Sequence, residues 1–188
     1  MLVIWAIVGL DDDHVRMMWL AKISGYAALG CLVISQWISP ACGIMALARS
    51  PVDAALQYHL RRDFGIAAAL LAVVHGSVMG LRSFSDGGWQ LIVQKPWLQS
   101  GAVALLILLV LWATSYPRVV RLFRLKTWKS LHRLVFVAVG LALFHAISGP
   151  HAFVGLLFWL AVAVVLAWGV RVVLCIGFPG PDVRKQKI

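Results

Sequence analysis

His75 and His145 are the side chains in this sequence best placed to do chemistry: each lies inside a long apolar segment, and each lies near the same end of its segment. An imidazole held in hydrocarbon is costly and marks a functional site by default, usually with a partner close by. Two at matching depth point to one bound cofactor shared between two helices. The segments that must position them are Leu60–Leu81 and Leu131–Gly149.

Composition sets the frame for those segments. With 62% apolar and 13% charged residues and a mean hydropathy of +0.90, the chain is an integral membrane protein and not a soluble globular domain. Its 188 residues have room for five or six helices of ~20 residues, each crossing a ~30 Å hydrocarbon core. The expected fold is an all-α membrane helical bundle forming a single domain over residues 1–188. Five full spans are expected at Trp19–Pro40, Leu60–Leu81, Trp97–Tyr116, Leu131–Gly149 and Ala152–Ile176, behind a short apolar stub at Met1–Leu10. Ten residues rise only ~15 Å, half a bilayer. The stub lacks a basic leader and an evident cleavage site, so it does not read as a signal peptide. Pro40, Pro96, Pro117 and Pro150 punctuate the breaks, and Trp19, Trp37, Trp89, Trp97 and Trp128 fall where an interfacial ring is favoured.

Charge orients the bundle. If six segments alternate, Arg49, Arg61, Arg62, Arg118, Arg121, Arg124, Lys126, Lys129, Arg133, Arg171, Arg184, Lys185 and Lys187 share one side, and only Arg16, Lys22, Arg82 and Lys95 take the other. Thirteen against four predicts that both termini, including a short basic tail at 177–188, face the cytoplasm. The net charge of +10 then reflects topology and anionic lipid, and no nucleic-acid partner is expected.

In that orientation the two histidine-bearing segments both run outward. His75 follows Arg61 by 14 residues and His145 follows Arg133 by 12, which puts both ~18–21 Å from the cytoplasmic edge at 1.5 Å per residue. Facing imidazoles at one depth suit a planar cofactor with a metal at its centre, and haem iron is the metal most often held this way. For a single histidine a hydrogen bond to the next helix is the commoner role; the matched pair favours ligation.

His132 opens the segment that carries His145, 13 residues earlier, and would serve a second site in the inner leaflet ~20 Å away. On a straight helix 13 residues leave the two side chains ~140° apart, so the vertical spacing carries this inference and the azimuth does not. No histidine stands opposite His132. Arg61 and Arg62 occupy that level and suit a carboxylate such as a haem propionate better than iron. His59 is the other candidate there, 16 residues from His75 and ~160° round the helix.

The other constellations are weaker. Cys31, Cys42 and Cys175 form no CxxC or CxxCH pattern, so neither zinc nor covalent haem is indicated. Asp11–Asp13 with His14 could bind a cation outside the membrane, although unspecific loop charge is commoner. Gly65 with Ala69, Gly76 with Gly80, and Gly140 allow close approach of a helix or ring. There is no phosphate loop, nucleophile triad or acidic pair, so no catalytic residue is expected.

The run Trp128–Phe136 (WKSLHRLVF), His145 beyond it, and the Arg61–Arg62 pair ahead of the apolar run to His75 resemble the ferric reductase-like transmembrane domain, most closely its MsrQ (YedZ) branch. The resemblance extends over residues ~19–175 and implies a six-helix b-type cytochrome, the haem-binding electron-transfer subunit of an oxidoreductase. His75, His132 and His145 match the family's haem histidines, and Arg61 stands where two-haem oxidase relatives carry histidine. One or two haems b are expected, with FMN or a quinone as further candidate cofactors. The partners implied are a quinol or cytoplasmic flavin reductase as donor and a periplasmic molybdenum-containing MsrP-like reductase as acceptor. Three rival functions are a ferric- or oxygen-reducing haem protein, a haem-free proton or metal transporter that uses the histidines, and an assembly or structural membrane subunit whose histidines only pack; buried carboxylates, which a transporter would prefer, are scarce.

Overall fold

The computed structural model describes residues 13–47, 54–85, 89–149 and 153–177. Among them every regular element is helical: α1 Asp13–Leu47, α2 Ala54–Ser85, α3 Trp89–Gln94, α4 Pro96–Ala113, α5 Pro117–Val120, α6 Leu125–His132, α7 Leu134–Ser148 and α8 Val154–Gly177. Five stretches are long and apolar enough to cross a membrane, at Val15–Met45, Leu56–Leu81, Pro96–Ala113, Lys126–Ser148 and Val154–Leu174. The protein is a multi-pass, all-helical membrane bundle. The Met1–Leu10 stub, Asp11, Asp12, Arg49, Pro150 and residues 178–188 lie outside the described residues.

Contacts at both ends of each helix pair give the directions. α2 runs back along α1: His75 Nδ1 meets the Ala21 carbonyl at 2.8 Å, and Gln57 Nε2 donates to Ser39 Oγ at 3.0 Å at the other end. α7 runs back along α4, with His145 beside Trp97 and His132 beside Thr114. α8 runs parallel to α1, since the Phe153 amide donates to the Tyr26 hydroxyl at 3.0 Å and Gly43 lies against Leu174. The five described spans therefore alternate in direction.

Small residues set how closely the helices cross. Ala68, Ala69, Ala138 and Val139, all at most 1% exposed, pack with Leu32, Val33, Leu108 and Val164 at the centre of the bundle. In lipid no hydrophobic force drives helices together, so association depends on this close packing. Ala68 lies seven residues from both Arg61 and His75; Ala138 lies six from His132 and seven from His145. A tightly packed apolar layer thus separates an outer from an inner level.

Two expectations about boundaries are corrected. Pro40 does not end its span; it is fully buried inside α1. A transmembrane helix tolerates the loss of one amide donor because neighbouring groups re-satisfy the freed carbonyl. That carbonyl belongs to Gln36, whose side chain is 1% exposed with Oε1 unpaired among the described residues. Second, Leu131–Gly149 is not one helix. It breaks at Arg133, where the Arg133 and Phe136 amides each reach back only three residues, to Ser130 and Arg133. Three-residue turns advance ~120° per residue instead of ~100°, so the straight-helix angle between His132 and His145 does not apply across this break.

Candidate cofactor site

At the outer level His75 from α2 and His145 from α7 face each other, with ring centres 6.0 Å apart and planes at 80°. Each ring is held by a helix that supplies neither histidine of the pair. His75 Nδ1 lies 2.8 Å from the Ala21 carbonyl of α1, and His145 Nδ1 lies 2.7 Å from the Trp97 carbonyl of α4. A carbonyl can only accept, so Nδ1 carries the proton in both rings, and Nε2 is the nitrogen left for a metal. A histidine ligand prepared for a metal commonly has this arrangement, with its other nitrogen donating to a backbone carbonyl.

Glycines bring the rings this close to the helices. A Cβ on Gly25 would stand 2.8 Å from His75 Nδ1, and one on Gly101 would stand 2.6 Å from His145 Nδ1. Both are too short for a side chain. Farther along the bundle an added Cβ on the half-buried Gly65 would meet nothing within 4 Å. A metal between two Nε2 atoms, with bonds of about 2 Å and about 1 Å of ring on each side, requires centres about 6 Å apart. The observed separation fits one ion shared by both imidazoles.

The inner level is built differently. His132 stacks on Trp128 with centres 4.2 Å apart, and its Nε2 is 3.4 Å from Thr114 Oγ1. Trp128 Nε1 donates to the Thr114 carbonyl at 3.1 Å, tying α6 to the end of α4. Arg61 lies close enough to interact electrostatically with both His132 and Arg171, and the Arg171 guanidinium sits 5.1 Å from the Phe136 ring centre. Of the two predicted arginines, Arg61 is the one whose charge reaches His132; Arg62 turns to Asp63, Nε to Oδ1 3.2 Å. His59 lies within α2, exposed, edge-on to Tyr58 with centres 5.6 Å apart. Only one imidazole is therefore placed inside the bundle at this level among the described residues, and its neighbours are Trp128 and Thr114.

The described residues contain no cluster of three or more potential metal ligands; the Asp11–Asp13 and His14 side chains lie outside the described residues. Cys31 and Cys42 are free thiols. The sequence reasoning missed Ala21, Gly25, Trp97 and Gly101. A signal for them was present: a Ser-Gly dipeptide recurs soon after a Trp-Leu pair, in Trp19–Gly25 and in Trp97–Gly101.

Residues 24–143 match the family model of the ferric reductase like transmembrane component. The chain belongs to this family. Three curated relatives share the description protein-methionine-sulfoxide reductase heme-binding subunit MsrQ. The Deinococcus radiodurans protein is 39% identical over 88 residues, 46% of this chain and 44% of that protein. The Rhodospirillum rubrum protein is 37% identical over 121 residues, 59% and 58% of the two chains, and the Polaromonas naphthalenivorans protein 29% over 152 residues, 74% and 63%. The matches thus span 44–63% of these relatives' own lengths. No solved structure matches the chain. The ferric reductase-like match begins within α1 and ends two residues before His145, and so takes in His75, His132, Arg61 and Arg62.

Proposed function

We propose that this chain is the haem-binding membrane subunit of a methionine sulfoxide reductase system, carrying electrons across a bacterial inner membrane to a periplasmic reductase. The observation that carries this reading is the His75–His145 pair, 6.0 Å apart, with both Nδ1 atoms committed to backbone carbonyls. The relatives' shared description supports it. Haem b bound there supplies a one-electron ferric/ferrous couple, which is chemistry no side chain of this protein offers.

The protein's own part is ligation, orientation and insulation. His75 and His145 present Nε2; the Ala68–Ala138 layer keeps water out between the levels; Arg61 and Arg171 place positive charge at the inner level, suited to a propionate or another anionic group. Electrons enter on the cytoplasmic side from a quinol or a reduced flavin such as FMN. Both termini face the cytoplasm, from the thirteen-to-four distribution of basic residues. The acceptor is a molybdenum-containing reductase of the MsrP type. Reduction of methionine sulfoxide to methionine and water takes two electrons and two protons; a quinol releases two of each on oxidation, so two one-electron passages balance one turnover.

The test uses the full chain in proteoliposomes with a quinol donor and an MsrP-type reductase outside. Reduced haem should be reoxidised by a peptide methionine sulfoxide only when the reductase is present. Equally fast reoxidation by a ferric chelate or oxygen, with no effect of sulfoxide and reductase, would replace this reading with iron or oxygen reduction.

A further inference from the structure

The hydrogen bonds that fix the two histidines form the same motif twice. On α1 the Ala21 carbonyl accepts from His75 Nδ1 at 2.8 Å and from Ser24 Oγ at 3.1 Å, and Gly25 follows directly beneath the ring. On α4 the Trp97 carbonyl accepts from His145 Nδ1 at 2.7 Å and from Ser100 Oγ at 2.8 Å, and Gly101 follows beneath that ring. Each motif has a carbonyl at i, a serine at i+3 and a glycine at i+4. The Ser24 hydroxyl also reaches the Leu20 carbonyl at 2.7 Å, so its hold on the shared carbonyl is the weaker of the two. Ser24 and Ser100 are 4% and 7% exposed, so neither hydroxyl is a surface group. The repetition also pairs the helices, α1 with α2 and α4 with α7, as two versions of one unit.

We propose that the Ser24–Gly25 and Ser100–Gly101 pairs are positioning residues that set both the plane and the basicity of the two axial histidines, although α1 and α4 contribute no ligand. This rests on the haem reading above. The glycine admits the ring edge-first against the helix backbone, and the i carbonyl then fixes the ring's rotation about its metal-binding axis. Because the two cradles stand on different helices, the planes are held at 80°. The serine shares the carbonyl's second lone pair and so moderates the pull on the Nδ1 proton. A stronger Nδ1–H···O bond makes Nε2 a better donor and favours the ferric state.

Each half of this has its own readout. Crossed imidazole planes leave the iron dπ orbitals nearly degenerate, so the oxidised protein should give one strongly anisotropic low-field EPR line in place of the three-line rhombic spectrum of parallel planes. Gly101→Ala and Gly25→Ala should shift that line toward the rhombic form, while Gly30→Ala, where an added Cβ meets nothing within 4 Å, should leave it in place. Ser100→Ala and Ser24→Ala add no bulk and free the carbonyl for the histidine, so each should lower the midpoint potential with haem content unchanged, Ser100→Ala by more. In protein prepared without haem, nitrogen NMR of labelled histidine should show the Nδ1-protonated tautomer at positions 75 and 145. A rhombic wild-type spectrum, or potentials indifferent to both serine substitutions, would overturn the proposal while haem binding stands. A protein that binds no haem would instead overturn the haem reading, and the NMR tautomer would still decide whether the cradles act on the rings.

Discussion

His75→Gln and His145→Gln should each lower haem per chain by more than about tenfold while the bundle still inserts and folds. Removing only a partner that orients a metal ligand typically costs 10–100-fold in affinity, and removing the ligand costs at least as much. Glutamine keeps a polar side chain of similar reach, so the substitution separates ligation from packing. If the histidines served only to join helices, both variants would keep their colour, because the rest of the site would be untouched. The effect should be equal at the two positions, since the site gives each ring one carbonyl and one glycine. Haem content by alkaline pyridine spectrum, with detergent-solubilised monodisperse protein as the measure of folding, checks this result.

Ala138→Leu should destabilise the bundle by about 1–3 kcal/mol, the usual cost of forcing extra methylenes into a packed interior. Ala138 is 0% exposed and meets a layer that includes Ala68, also 0%, and Leu32, Val33 and Leu108. A longer side chain there must push α7 away from the helices it crosses. His145 lies seven residues, about two turns, along the same helix, so the displacement also opens the 6.0 Å gap to His75. The variant should show both a lower thermal midpoint in detergent and weaker haem retention. Gly140→Leu, two residues away on an exposed face with open space around it, should be tolerated far better for stability. Comparing the two midpoints tests whether the small-residue layer holds the site's spacing.

The class of fold and the outer site were legible because they rest on gross signals. Long apolar runs, one-sided basic residues and two histidines at equal depth follow from the bilayer's thickness and dielectric, which act on composition more than on detail. Helix ends were less legible. Pro40 has the residue type of a break, but inside a membrane its neighbours bear the cost of the missing donor and α1 continues to Leu47. The change of helix geometry at Arg133, where two amides reach back three residues, has no marker in residue type. His59 is exposed beside Tyr58, a placement that residue type alone does not reveal.

The cradles of the outer site were hidden for a different reason. Ala21 and Trp97 act through main-chain carbonyls, which every residue carries, and Gly25 and Gly101 act by lacking a side chain. Only the recurrence of Ser-Gly near the start of two spans carries that information, and its meaning depends on which helices become neighbours. Pairing of α1 with α2 and of α4 with α7 is a tertiary fact, and periodicity along one segment does not contain it.

A dithionite-reduced minus oxidised spectrum of the purified full chain, with haem counted per chain, tests the central claim most directly when repeated on His132→Ala. The account predicts b-type bands from a six-coordinate low-spin haem, and predicts that the outer haem persists without His132. A colourless protein, produced with ample haem supply, would contradict it, as would a haem lost with His132 and kept in the absence of His75 or His145.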